Sequence, residues 1–312
     1  MATMKAIRFH SYGGPEVLVL EEVPRPQAGE GEVLVRVQAA GVNPLDWKVR
    51  AGLAKSWLPH QLPLIPGWDV AGVVEEVGPG VTAFTAGDAV YGMLDFQRDG
   101  AYAEYVASGI GHLALKPTSL DPLQAAAVPL AALTAWQCLF EVAGLSPGQS
   151  VLIHAAAGGV GHYAVQLAKW RGARVIGTAS AGNVEFLRQL GADEVIDYQY
   201  TRFEEKVTGV DVVLDTLGGE IQERSWGVLK PGGILVATLG VASPEAAHRH
   251  GVRGQGMLVH PDANQLGKIA ALIDANKLKP VIARVLPLAQ AASAQELSQA
   301  GQVRGKIVLQ VR

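Results

Sequence analysis

A single cysteine, Cys138, in 312 residues excludes an intrachain disulfide and any metal site built from several cysteines. A large excess of one charge sign is missing as well. Lys and Arg number 26 and Asp and Glu 29, a formal net charge of −3, which offers nucleic acid no basic field and leaves no acidic tail. No uninterrupted apolar run is long enough to span a bilayer. The opening MATMKAIRFH lacks a charged stretch followed by a long apolar one, so no secretory signal is expected. Internal repeats and low-complexity segments are missing too. What remains is a core-forming composition, 49% hydrophobic and 18% charged, in a chain long enough for two domains at about 150 residues each. These features predict a soluble, cytoplasmic protein that binds neither nucleic acid nor membrane.

The most informative segment is 150–169, SVLIHAAAGGVGHYAVQLAK. A short apolar strand (151–153) runs into a glycine turn, and the turn runs into a helix. Its pattern, Ala155-x-x-Gly158-x-x-Gly161, is a variant of the dinucleotide fingerprint. Small residues at 155 and 158 let the backbone approach a pyrophosphate, and Gly161 lets the helix pack on the sheet. The helix start offers N–H groups and the positive end of its dipole to phosphates. Ala156, Gly158, Gly159 and Val160 are the predicted backbone contacts.

Residues 1 to about 120 read as β-rich, with runs at 17–20, 32–38, 71–77 and 89–91 punctuated by Gly and Pro. That spacing predicts a small barrel-like β domain. At Asp121-Pro122 the composition shifts to an alanine-rich helical stretch interrupted by Pro129. After Pro147-Gly148, strands at 151–153, 174–178, 195–197, 211–215 and 233–239 alternate with helices, which predicts a parallel sheet covered on both faces. A sixth strand is expected at 257–259. An amphipathic helix follows at 263–276, with Leu266, Ile269, Ala270 and Ile273 on one face. The terminal GKIVLQV reads as a strand with no helix after it, and is expected to rejoin the β domain.

Six segments, in order, resemble the medium-chain dehydrogenase/reductase superfamily in its zinc-independent quinone oxidoreductase branch. They are GVNPLDWKVRAG (41–52), IPGWDVAGVVEEVG (65–78), VPLAALTAWQCL (128–139), AAAGGVGHYAVQLAK (155–169), GADEVIDY (191–198) and GKIVL (305–309). The resemblance implies an α/β protein: a GroES-like β-barrel domain (1–121 and 264–312), a doubly wound Rossmann domain for NADP(H) (122–263) and an active-site cleft. It leaves a homodimer among the assemblies open to the chain.

Zinc-dependent relatives bind the metal through a Cys and a His whose positions here carry Asn43 and Trp68. An amide and an indole do not replace a thiolate and an imidazole as ligands. No metal is therefore expected. Without a Lewis acid to polarise an alcohol or carbonyl oxygen, reduction of an acceptor that is already electrophilic becomes the better reading. A donor near the acceptor's oxygen would stabilise developing charge. Asn43 is the first candidate, the alternative being a local turn ahead of Pro44. Lys48 is the second, the alternative being a solvated surface lysine. Tyr91, beside Gly92, is a third, as an exposed phenol. Asp46 and Asp69 look like an acid pair, but the resemblance gives them scaffold roles. Trp47, Trp57, Trp68, Tyr91, Met93 and Phe96 form either an apolar wall or domain core. His154 and His162, with no second ligand at metal spacing, are expected to be structural.

An NAD-binding unit normally carries an acid about 20 residues after its glycines, for the ribose hydroxyls. Here none stands between Thr178 and Val184, so nothing repels a 2′-phosphate. By resemblance Ser180 and Tyr198 would bind that phosphate, although Ser180 could equally cap the next helix. The basic residue that relatives often carry after this serine is missing: Ala181-Gly182-Asn183 follows. NADPH is the expected cofactor. Thr134, Thr178, Leu217, Leu239, Gly240 and Val259 complete the contacts implied by resemblance, and Asn43 would lie beside the nicotinamide. The expected activity is reduction of small apolar quinones or α,β-unsaturated carbonyls by direct hydride transfer. The alternatives are a strict 2-alkenal or enone reductase, and a non-catalytic NADPH-binding sensor or accessory protein.

Overall fold

The computed structural model describes residues 2–312. The chain divides into two compact units, residues 2–133 with 260–312, and Thr134–Val259. The first division falls twelve residues beyond the expected border at 121/122. The reason is packing: the helix Pro122–Ala126 lies against the strands Glu32–Val42 and Asp69–Val77 and so stays with the β unit. Asp121 starts that helix with a capping box, accepting from the Gln124 N–H at 2.8 Å while its own N–H donates to the Gln124 side chain.

The β unit is organised around Glu32–Val42, an eleven-residue strand. One edge pairs with Asp69–Val77, which leads on to Ala89–Met93 and Leu113–Leu115. The other edge is shared. Its first half pairs with Tyr105–Gly109, and its last residues pair antiparallel with Lys306–Gln310, the closing strand of the chain. That closing strand also lies parallel to Ile282–Pro287. In this register Ile307 stands opposite Val42 and Gly41 opposite Asp69. Asn43, Asp69 and Lys306 therefore come together from three strand ends. The approach is tight: a Cβ at Gly41 would lie 2.6 Å from the Asp69 carboxylate and 2.4 Å from the Ala126 carbonyl oxygen.

The second unit is a six-stranded sheet whose neighbours are all parallel. Across the sheet run Glu194–Asp197, Arg174–Ala179, Ser150–Ile153, Val210–Asp215, Leu229–Ala237 and Arg253–Gly256. The chain winds outward in one direction from Ser150–Ile153, then returns to wind in the other. Its switch point lies between Ser150–Ile153 and Val210–Asp215, at whose carboxyl edge nucleotides bind in such sheets. Leu152, Ile176, Val213, Leu235 and Trp226 are buried together in its core. The sixth strand is Arg253–Gly256 and not 257–259. An edge strand needs little apolar content, and Met257 adds a backbone bond to the Ala237 carbonyl oxygen just past its end.

Candidate nucleotide site and a polar cluster in the β unit

The turn after Ser150–Ile153 is strained at its first step. Ala155 has φ of 47°, a left-handed conformation that L side chains seldom adopt. The Gly158 N–H donates to the Ala155 carbonyl oxygen at 2.9 Å and closes the loop. Gly161 opens the helix Gly161–Trp170 against this loop. A Cβ there would lie 2.3 Å from the Ala155 oxygen and 2.6 Å from the Ala156 Cα, so only glycine fits. The first N–H groups of a helix need acceptors from outside it, and here those of His162, Tyr163 and Ala164 donate back to the turn, to the carbonyl oxygens of Gly158 and Val160, as Ala156 N–H does to Thr178. The His162 ring holds the turn through Nδ1 and the Gly158 carbonyl oxygen, 2.9 Å apart.

Thr178, at the end of the neighbouring strand, is bound into the same support. Its backbone oxygen accepts from Ala156 N–H at 3.1 Å, and its hydroxyl lies 3.2 Å from His154 Nδ1. The other ring nitrogen lies 2.9 Å from Ser225 Oγ, whose own proton goes to the Ile221 carbonyl oxygen at 2.6 Å. The directions follow. Ser225 accepts from His154 Nε2–H, and the bare Nδ1 accepts from Thr178. Burial pushes the His154 pKa down to about 4, which keeps the ring neutral and this chain intact.

Ser180 Oγ accepts from the Asn183 side chain at 3.1 Å. Tyr198, 60% exposed, follows the strand paired with Arg174–Ala179 and donates its backbone N–H to Ala179. Farther along the carboxyl edge, Leu217 and Leu239 are 48% and 53% exposed, which is unusual for leucines at strand ends. Directly after them, Gly218 and Gly240 have φ of 69° and 83°. Two residues missed by the sequence reading hold these loops. Asp215 accepts from the N–H groups of Leu217 and Gly218, both at 2.9 Å. Gln222 bonds Asp215, the Gly240 carbonyl oxygen and the Ala242 N–H. An acid ending a strand just before Leu-Gly-Gly was the available signal. Thr134 and Val259 are buried, as is Ala156. The residues present fit a dinucleotide: the cradle admits no Cβ at 161, and no carboxylate stands between 178 and 184.

In the β unit Asn43 is 2% exposed. Its Nδ2 donates to Asp69 Oδ2 at 2.8 Å, and its Oδ1 accepts from the Lys306 ammonium. Asp69 Oδ1 accepts from Leu130 N–H at 2.6 Å. Asn43 is the N-cap of the helix Pro44–Arg50, and Asp46 stands in its first turn. Asp46 Oδ2 accepts from the Asn43 N–H and the Tyr102 hydroxyl, both at 2.8 Å. Complete burial pushes the Asp46 pKa up to about 7. Lys48, on the same helix, is half-buried, and burial lowers its pKa. Tyr91 is a correction. It is fully buried, and its hydroxyl donates to the Leu266 carbonyl oxygen at 2.7 Å, so it is part of the core and no catalytic donor. Trp68 and Met93 are core as well, with Trp68 edge-on to Phe96 at 5.5 Å. Trp57 alone of the proposed wall is more than half exposed.

A switch-point nucleotide sheet joined to a β unit of this topology defines a two-unit dehydrogenase/reductase fold. Residues 29–118 match the family model for the alcohol dehydrogenase GroES-like domain, and residues 190–309 match that for zinc-binding dehydrogenase. The chain is 38% identical to the 2-methylene-furan-3-one reductase of Solanum lycopersicum over 98% of its length and 79% of the relative's. It is 37% identical, with the same two coverages, to an NADPH-dependent alkenal/one oxidoreductase, chloroplastic, of Arabidopsis thaliana. The solved structure of a quinone oxidoreductase from Coxiella burnetii superposes with a TM-score of 0.93, at 39% identity and 100% coverage of both chains. The chain belongs to the medium-chain dehydrogenase/reductase superfamily, in its quinone oxidoreductase-like branch.

Proposed function

We propose that this protein is an NADPH-dependent, zinc-independent reductase of quinones and α,β-unsaturated carbonyls. The observation that carries it is the glycine cradle at 155–161, beside a strand end where hydroxyls stand in place of an acid. Bound NADPH supplies a hydride from its reduced nicotinamide. The N–H groups of Gly159 and Val160 hold the pyrophosphate, those of Ala156 and Gly158 being spent on the Thr178 and Ala155 carbonyl oxygens, and Ser180 and Tyr198 offer hydroxyls to the 2′-phosphate. Thr134, Leu217, Leu239, Gly240 and Val259 serve the rest of the dinucleotide. In the β unit Asn43 and Lys48 serve as donors to the acceptor's oxygen, where negative charge develops as the hydride arrives. Water supplies the proton.

Support for the acceptor class comes from the relatives, named for alkenals and enones and for quinones. Support for the absence of zinc comes from the side chains themselves. Asn43 is committed to Asp69 and an ammonium, and Trp68 is a buried indole. Among the described residues no three His, Cys, Asp or Glu side chains are grouped to hold a metal. The same reading takes a small apolar molecule as the partner and the cytoplasm as the location, and leaves a homodimer open as the assembly. No helix among the described residues is long and apolar enough to cross a membrane.

Stopped-flow oxidation of NADPH with a panel of quinones and 2-alkenals is the test. Turnover with at least one acceptor class is expected, unaltered by chelators. Tight NADPH binding with no acceptor reduced would defeat the enzymatic reading.

A further inference from the structure

Lys306 is a buried cation of the β unit, with its side chain only 3% exposed and its partner Asp69 at 0%. Its ammonium faces three acceptors: the Val42 carbonyl oxygen at 3.0 Å, Asp69 Oδ2 at 3.2 Å and Asn43 Oδ1. An ammonium has three protons to give and accepts nothing. All three are spent here. Asp69 is equally committed, to Leu130 N–H through Oδ1 and to Lys306 and Asn43 through Oδ2.

This arrangement decides which way the Asn43 amide points. The atom facing an ammonium must be the oxygen, so the nitrogen faces Asp69. Turning the amide over would set NH2 against the ammonium and oxygen against the carboxylate. One N–H of the amide goes to Asp69, and the other remains a donor directed away from it. The cation on Oδ1 also draws electron density from the nitrogen, strengthening that second donor in a site shielded from water. Stability does not call for such a pair, because well-packed apolar replacements of a buried ion pair are often neutral or better.

We propose that Lys306 is a positioning residue. With Asp69 it locks the Asn43 amide nitrogen outward as a hydrogen-bond donor, and it brings to this position the positive charge a metal would otherwise supply. The proposal rests on the reductase reading and on Asn43 as the donor to the acceptor's oxygen.

Two measurements test it, on Lys306→Met/Asp69→Asn, which removes both charges without stranding either, with Lys306→Arg as the conservative variant. The first needs no turnover. The side-chain amide signals of Asn43, assigned in 15N spectra by their loss in Asn43→Ala, should exchange slowly with solvent in the wild type and at least tenfold faster in the double variant. Unchanged protection would overturn the orienting role. The second is kinetic. The double variant should lose at least tenfold in kcat while its NADPH Kd stays within twofold, and Lys306→Arg should recover part of the loss. Unchanged kcat would overturn the role in reduction, as would an Asn43→Ala enzyme with wild-type kcat. If the wild type reduces no acceptor, it is the reductase reading that fails, and the amide exchange still decides whether Lys306 orients Asn43.

Discussion

Ser180 and Tyr198 stand on adjacent strand ends, where the adenosine end of a dinucleotide is expected. Neither carries charge, so discrimination rests on hydroxyls meeting a phosphate dianion, each such bond contributing about 1.5–3 kcal/mol. Ser180→Ala/Tyr198→Phe should weaken NADPH binding by about tenfold or more and leave NADH nearly unchanged. Fluorescence titration with both cofactors reads this directly; equal losses for the two would remove these hydroxyls from the 2′-phosphate. The absence of an acid at this strand end was legible in the sequence, because it is a local pattern. The partners of Asn43 were not. Lys306 lies 263 positions away along the chain, and only the sheet register brings the two together. Tyr91 misled for another reason. The strand Ala89–Met93 is buried at four successive positions, so alternation marks no exposed face on which a phenol could stand.

At the scale of elements, the cradle is a rigid device whose fit depends on one missing methyl. Gly161→Ala would push a Cβ into the Ala155 carbonyl oxygen, which is backbone and cannot swing aside. The turn must shift, and NADPH affinity should fall by at least tenfold, while far-ultraviolet circular dichroism stays that of the wild type. Wild-type affinity in Gly161→Ala would show that the turn does not hold the phosphates. This element was readable from the chain because strand, glycines and helix are contiguous. The loops after Val210–Asp215 and Leu229–Ala237 were readable only as positions. Their bracing by Asp215 and Gln222 depends on a helix turning one side chain between two loops. The edge strand Arg253–Gly256 was missed because its composition is polar and glycine-rich, and its pairing with Leu229–Ala237 is what makes it a strand.

For the whole molecule, the buried carboxyl of Asp46 links stability to pH. Its pKa is about 7 in the folded chain against an ordinary 3.8, so it holds a proton that the unfolded chain has already lost. Stability from this group is therefore complete below about pH 4, declines as pH rises towards 7, and is level above. The slope approaches roughly 1.4 kcal/mol per pH unit. Asp46→Asn keeps an oxygen for the Asn43 N–H and the Tyr102 hydroxyl but titrates nowhere. Its urea midpoint should gain on the wild type progressively between pH 4 and 7 and then run parallel. A gap that stays constant over that interval would mean that Asp46 is ionised in the folded protein. The opposite sign belongs to His154, whose lowered pKa makes stability rise between about pH 4 and 6.5, so the variant-minus-wild-type comparison is the one that isolates Asp46.

The strand Lys306–Gln310 sits between Ile282–Pro287 and Glu32–Val42, inside the sheet and not at its border. On the ribosome it is made after every other strand among the described residues, including all six of the nucleotide unit. A nascent chain can thus complete its cofactor half while Asp69 and Asn43 still wait for their cation. Lys306 is thus the last of the three partners to be made, after Asn43, Asp69 and the whole nucleotide sheet.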